Sequence, residues 1–295
     1  MSELPLVSVI IPTYKRAAFI RRAVENVLRQ TYQNIEVLVV DDGSPDDTTA
    51  VVQAISDPRV RVIRHPVNRG VSAARNSGIK AARGVLIGFM DDDDEWREDK
   101  LERQLNAIRG FDAVACTAVS SSKGYSMRVH RRPRITLEDL KRGTFAPSSL
   151  MARAAVFRDV MFDESVTQGE DWDAFIRIAQ RYSIAWVPEP LLIYNEGLHS
   201  RTTTEAKSLF GPALERRAAV IYKHREFLGE RWFRYHLADT FLSYIGSRPN
   251  KAQAIIYATR RSGLRAVTAV LRDRALRKLS RTIEIALARR PDARA

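Results

Sequence analysis

Five carboxylates stand in a row at Asp91-Asp92-Asp93-Asp94-Glu95, directly after the run Val-Leu-Ile-Gly-Phe-Met at residues 85–90 and directly before Trp96. Like charges at this spacing repel one another and call for a cation. Aspartate oxygens are the hard ligands that Mg²⁺ or Mn²⁺ prefers, and those ions commonly hold a substrate's phosphates as well. A solvated acidic turn is the other reading of such a string. The apolar run before it and Trp96 after it favour a metal–diphosphate site. A second acidic pair, Asp41-Asp42, follows the apolar run 35–40 and precedes Gly43-Ser44. Asp-Gly-Ser alone is ordinary turn chemistry. Two strands that both end in acids at one sheet edge make a cleft with two acidic stations. A carboxylate at the first can accept the imide N–H of a uracil or thymine ring. Arg75 can hydrogen-bond a base carbonyl or neutralise phosphate, or be a plain surface arginine. A third acidic pair, Glu170-Asp171, opens a helical pattern. Acids there complement the helix dipole.

The elements that must position these acids alternate in type. Strand-like runs at 6–11, 35–40, 60–63 and 85–90 are separated by helical patterns at 17–30 and 49–55 and by a helix that the segment 68–76 opens and that runs to 82. Phe19, Ile20, Ala23, Val24, Val27 and Leu28 carry the 3.6-residue spacing of the first helix. Asp46, Asp47 or Thr48 can cap the second. This alternation predicts a mainly parallel, doubly wound sheet, in which ligands bind beyond the carboxyl ends of the strands. Further on come a helix at 100–108, a strand at 113–119, a polar and basic loop at 120–134, and two short strands at 184–187 and 191–194. From 205 the chain is helix-prone, with breaks at Gly211-Pro212, Ser247-Arg248-Pro249 and Gly263.

The chain has 295 residues, 45% hydrophobic and 28% charged, as in a globular protein. Its single cysteine, Cys116, permits no intramolecular disulfide and points to a reducing compartment. No basic leader and no apolar run of about 18 residues is present, so a cytoplasmic location is expected. The net charge is +13, and thirteen Lys and Arg against three acids from Arg248 onward place +10 of it in the tail. Leu276, Leu279, Ile283 and Leu287 recur at helical spacing among those arginines. That pattern fits an amphipathic helix on an anionic membrane, at the inner face of the cell membrane, or else a basic helix packed on its own domain. Nucleic acid is not expected, because residues 260–294 contain no Trp, Phe or Tyr and the acidic cleft would repel phosphate without metal.

Six separate signatures stand in a familiar order: residues 7–14 (Val-Ser-Val-Ile-Ile-Pro-Thr-Tyr), Asp41-Asp42-Gly43-Ser44, Asn68-Arg69-Gly70, Ala74-Arg75-Asn76, residues 89–96, and Gly169-Glu170-Asp171-Trp172-Asp173. In this the chain resembles family 2 glycosyltransferases over about residues 6–194. The resemblance implies a GT-A fold and inverting transfer of a sugar from a nucleotide diphosphate, with UDP the expected nucleotide. It implies that Pro12, Tyr14, Asp42 and Arg75 cradle the base with Asp41 beside them, and that Asp92 lies near the ribose. Asp93 would bind the divalent cation, Mn²⁺ or Mg²⁺, with Asp91 the alternative in a four-aspartate register. His199 falls where relatives contact metal or diphosphate. Asp171 would be the base, with Glu170 second choice. Trp172 would floor the acceptor sugar or belong to the core. The setting implied is surface polysaccharide or lipopolysaccharide assembly, with a saccharide or lipid-linked acceptor. The expected division is a catalytic domain at 1–204 and a basic helical region at 205–295. A non-catalytic nucleotide-sugar or nucleic-acid-binding protein is the alternative, and the presence of both the metal acids and the base counts against it.

Overall fold

Uninterrupted apolar runs, rather than alternating ones, form the centre of the sheet. In the computed structural model, which describes residues 4–121, 132–195, 212–243, 245–247 and 250–288 (277–288 by backbone alone), β1 (Val7–Thr13) leads through α1 (Ile20–Leu28) to β2 (Ile35–Asp41). Then come α2 (Thr48–Gln53), β3 (Val60–Arg64), α3 (Val71–Ala81) and β4 (Leu86–Phe89). Every residue of β1, β2 and β4 is buried, as a strand covered on both faces requires. The sequence run at 85–90 overshoots the strand: Val85 is 61% exposed and pairing starts at Leu86.

Strand order β3-β2-β1-β4 is parallel throughout. β1 therefore lies between β2 and β4, and both acidic loops leave the same edge on either side of it. The chain continues through β5 (Glu95–Trp96), α4 (Lys100–Ala107), β6 (Ala113–Ser120), β7 (Arg134–Ile135), α5 (Leu137–Lys141), β8 (Met151–Arg153), α6 (Ala154–Asp159), α7 (Glu170–Ala179) and β9 (Ile184–Tyr194). β8 pairs antiparallel with β4 and β6, and β9 lies parallel to β6. The expected pair of short strands is one strand, β9. Its Pro188-Glu189-Pro190 segment is absorbed by register shifts on either side of Thr117.

The chain divides into two units, Met1–His199 and Ser200–Ala295; the expected break after 204 lies outside the described residues. The second consists, among the described residues, of α8 (Pro212–Arg217), α9 (Ala219–Lys223), α10 (Arg225–Phe241), α11 (Lys251–Ser262) and α12 (Leu264–Ala288). Among the described residues no helix is long and apolar enough to cross a membrane. Of the proposed interfacial residues Leu276 is 55% exposed, and the side chains of Leu279, Ile283 and Leu287 lie outside the described ones.

Candidate active site

The first acidic station is occupied by the chain itself. Asp41 is fully buried; it accepts the Ser44 amide at 2.9 Å and the Thr49 hydroxyl. Asp42 accepts the backbone N–H of Arg69 at 3.0 Å and of Gly70 at 2.7 Å, and its Oδ1 lies 2.7 Å from His65 Nδ1. His65 reaches Ser77 at 2.8 Å with its other nitrogen, so the carboxylate ties β2 to the start of α3. Gly43 makes this approach possible: φ is +76°, and a Cβ there would lie 2.7 Å from the Val67 carbonyl carbon. Pro12 is buried in β1, whereas Tyr14, just past the strand end, is 38% exposed.

The second station differs. Asp92 is 8% exposed and accepts the Thr13 hydroxyl at 2.7 Å, with Arg16 Nε at 3.3 Å. Burial pushes its pKa up to about 7; Thr13 and Arg16 oppose the rise, and the neighbouring charges of Asp93 and Asp91 add to it. The turn is rigidly supported. Asn26 bonds the Trp96 backbone at both ends, donating to its carbonyl at 3.0 Å and accepting its N–H at 2.8 Å. Ser148 accepts the Asp91 amide at 2.9 Å, and Asn195 donates to the Asp93 carbonyl at 2.8 Å. Asn26, Ser148 and Asn195 escape a reading of the sequence, because nothing local marks a side chain that will bond a turn far along the chain.

Arg75 joins the second station to the third. Its side chain is 3% exposed, and it donates to Asp91 Oδ1 and to Glu170 Oε1, each at 3.0 Å. Burial opposes its charge, yet Asp91 and Glu170 hold its pKa above the ordinary arginine value. Next to it, Asn76 clamps Phe162 through both backbone groups at 2.9 Å, fixing the segment that leads to α7. Gly169, in the left-handed region at φ 76°, turns the chain into that helix. Glu170 and Asp171 then stand in its first turn. Asp171 is pushed up to about 7, chiefly by burial and then by the charge of Glu170, although the Trp172 amide donates to it at 2.8 Å. A carboxyl poised near neutral pH can exchange a proton with a hydroxyl.

Of the two places the sequence left open for Trp172, its burial favours the core: it is 7% exposed, and its indole N–H donates to the Leu140 carbonyl at 2.8 Å. His199 lies outside the described residues.

Among the described residues no three His, Cys, Asp or Glu side chains converge as a ready-made cation cage. The donors at the second station nevertheless fit a hard divalent ion, which needs one or two carboxylates when substrate phosphates complete its shell. Asp92 is raised chiefly by burial, and the smaller contribution from the charges of Asp93 and Asp91 is the kind a cation relieves.

Residues 8–164 match the family model of glycosyl transferase family 2. The chain belongs to that family. The match contains both acidic stations and Arg75 and ends before Glu170. Among curated relatives, the glycosyltransferase EpsJ of Bacillus subtilis is 34% identical over 253 residues, covering 77% of this chain and 72% of EpsJ. The succinoglycan biosynthesis protein ExoO of Rhizobium meliloti is 36% identical over 196 residues, covering 58% of this chain and 55% of its own. The chain spans 32% of a longer glycosyltransferase of Rickettsia felis. In solved structures the fold recurs in TarS of S. aureus with UDP-GlcNAc, at TM-score 0.62 and 18% identity, covering 90% of each chain. It recurs again in the mannosyltransferase PcManGT of Pyrobaculum calidifontis with GDP-Man and Mn²⁺, at TM-score 0.59 and 20% identity, covering 93% of this chain and 81% of that one. These likenesses establish the GT-A fold.

Proposed function

We propose that this chain transfers a sugar from a nucleotide diphosphate, UDP in the first instance, to an acceptor hydroxyl with inversion at the anomeric carbon. The observation that carries the reading is the single guanidinium of Arg75 joining Asp91 to Glu170, which brings the diphosphate side and the acceptor side of one cleft together. Asp171 takes the acceptor proton as the hydroxyl oxygen attacks, and the bond to the diphosphate oxygen breaks on the opposite face. Burial, and then the neighbouring charge of Glu170, raises Asp171 to about 7, which suits a base working near pH 7. Tyr14 offers an exposed ring to the base at the end of β1, with Asp42 and Pro12 shaping the loop behind it. Asp93, with Asp91, would hold a divalent ion that neutralises charge on the leaving diphosphate.

ExoO's role in succinoglycan biosynthesis supports surface polysaccharide assembly as the setting, and the UDP-GlcNAc complex of TarS supports a UDP-sugar donor. A cytoplasmic enzyme working at the inner membrane face suits a lipid-linked acceptor. The test is thermal stability with UDP or GDP in Mn²⁺, Mg²⁺ or EDTA. UDP is expected to raise Tm more with metal than in EDTA. Equal shifts in EDTA remove the metal from the proposal, and no shift with either nucleotide overturns the donor class.

A further inference from the structure

A cleft of about 480 Å³ opens in the helical unit between α10 and α12, lined by Arg231, Arg234, Arg265, Arg272, Trp232 and Tyr235 together with Glu230 and Asp273. Its walls are fixed. Arg274 of α12 donates to the Leu242 carbonyl at 2.6 Å and to the Asp239 carbonyl at 2.8 Å, which staples α12 to the end of α10. Tyr235 donates to Asp273 at 3.1 Å across the same pair of helices. A break in α10 at Gly229, φ 65°, restarts the helix at the cleft.

The charges in this cleft do not cancel. Glu230 is engaged by Arg225 at 3.1 Å and Arg234 at 2.8 Å. Asp273 takes the Tyr235 hydroxyl and lies 3.4 Å from Arg272. Among the described residues neither Arg231 nor Arg265 has a carboxylate partner. Arg231 instead lies over the Trp232 ring, 5.3 Å from its centroid. Trp232 and Tyr235 are half-buried and meet edge-on at 5.6 Å. Guanidinium forks match phosphate oxygens two at a time, and an aromatic floor accepts the apolar face of what the phosphate carries.

We infer that this cleft is a second anion site, taking a phosphate monoester between Arg231 and Arg265 with its sugar or glycerol moiety against Trp232. The ester is either a soluble sugar phosphate or a phosphatidate headgroup. A nucleic acid fits less well, because sequence-tolerant strand binding uses a succession of stacking platforms, whereas the two rings here, Trp232 and Tyr235, meet edge-on. The site lies in the helical unit alone and is independent of the reading of the acidic cleft.

The local reporter is Trp232, the only one of four tryptophans outside the first unit. Full-length protein carrying 5-fluorotryptophan gives a ¹⁹F resonance identified by Trp232→Phe. It is titrated in EDTA with glucose 1-phosphate, and with phosphatidylcholine vesicles with or without phosphatidate, against chloride at equal ionic strength. The expected result is a shift or broadening of the Trp232 resonance by one of the phosphate probes. The double variant Arg231→Gln, Arg265→Gln is expected to weaken it at least tenfold, and the charge-matched Arg216→Gln, Lys251→Gln to leave it unchanged. A response to the sugar phosphate alone names the soluble source, and one to phosphatidate vesicles alone names the lipid. No response, an equal response to chloride, equal weakening by the control, or displacement of both probes by a single-stranded oligonucleotide would overturn the inference.

Discussion

The two acidic stations look alike in sequence and behave differently in the fold. Each is a run of aspartates at the mouth of a fully buried parallel strand, one on either side of β1. At the first, the chain supplies donors for the acids: two backbone amides and a histidine for Asp42, an amide and a hydroxyl for Asp41. At the second, crowding and burial leave Asp92 near pKa 7 despite Thr13 and Arg16, and Asp91 is shared with Arg75. Carboxylates bonded to backbone amides build a loop; carboxylates crowded together in a buried turn respond to a ligand's charge. On the proposed function, the first station would shape the base-binding edge, and the second would be the one that responds to metal and donor.

That contrast breaks first at Asp171, where the largest effect is expected. Asp171→Asn should cut turnover by about 10²-fold or more, the scale of losing a general base, while leaving donor affinity and fold in place. Because burial and Glu170 raise the carboxyl to about 7, the active, ionised form is lost as pH falls through that value. Wild-type turnover should thus decline below about pH 7, and the residual activity of Asp171→Asn should lack that limb. Steady-state kinetics across pH checks both. Near-normal transfer by Asp171→Asn with an inert Glu170→Gln would move the base one residue upstream.

Legibility in the sequence follows the range of the interactions. Strands β1, β2 and β4 announce themselves because burial on both faces demands apolar residues at every position, and the acids after them are visible for the same reason. Edges are softer: α1 starts at Ile20 rather than residue 17, since 17–19 form a turn before the apolar stripe engages the sheet. β5 and β7 are two residues long and exist only because β9 runs past them, so no local pattern encodes them. The same holds in the site. The Arg75 position is visible as a motif, but that one guanidinium serves both Asp91 and Glu170, 95 residues away from it in sequence, emerges only in three dimensions. Trp172 shows the opposite case, a motif residue beside the candidate base whose two sequence readings only burial and its bond to the Leu140 carbonyl tell apart.

A paired substitution sharpens the comparison at intermediate scale. Asp42→Asn replaces an acceptor with a donor facing two amides and a histidine, and a buried donor left unmatched costs roughly 1–3 kcal/mol. It should lower the unfolding midpoint whether or not nucleotide is present. Asp93→Asn is expected to leave the ligand-free midpoint near wild type and to abolish the metal-dependent part of UDP stabilisation. Urea unfolding of both variants, with and without UDP and Mn²⁺, reads the difference. If Asp93→Asn destabilises the free protein as much as Asp42→Asn, the second station is as structural as the first and the distinction fails.

The smallest effect asks whether the second station is neutralised from within. Lys100 is fully buried beneath the acidic turn, with its ammonium 3.7 Å from the Trp96 ring centroid and donating to Gln104 at 2.7 Å. A lysine that balanced the aspartates would have its charge stabilised. Burial instead lowers its pKa from 10.5 to about 8, with only Cys116 acting in the other direction. Between those two values the unfolded chain holds a proton that the folded chain has released. Folding stability contributed by this group therefore rises with pH through that window and is lower below it. Relative to wild type, Lys100→Met should gain stability at pH 7.5, and the gain should shrink by roughly 1–2 kcal/mol on going to pH 10, a figure reduced for the partial compensation by Trp96 and Gln104. Subtracting the two denaturation curves at each pH cancels the tyrosines and other groups common to both proteins. A variant whose stability runs parallel to wild type across the window, or falls below it at pH 7.5, would mean that the ammonium does balance the aspartates. The second station would then be internally compensated like the first, and a bound cation would no longer be needed to account for its acids.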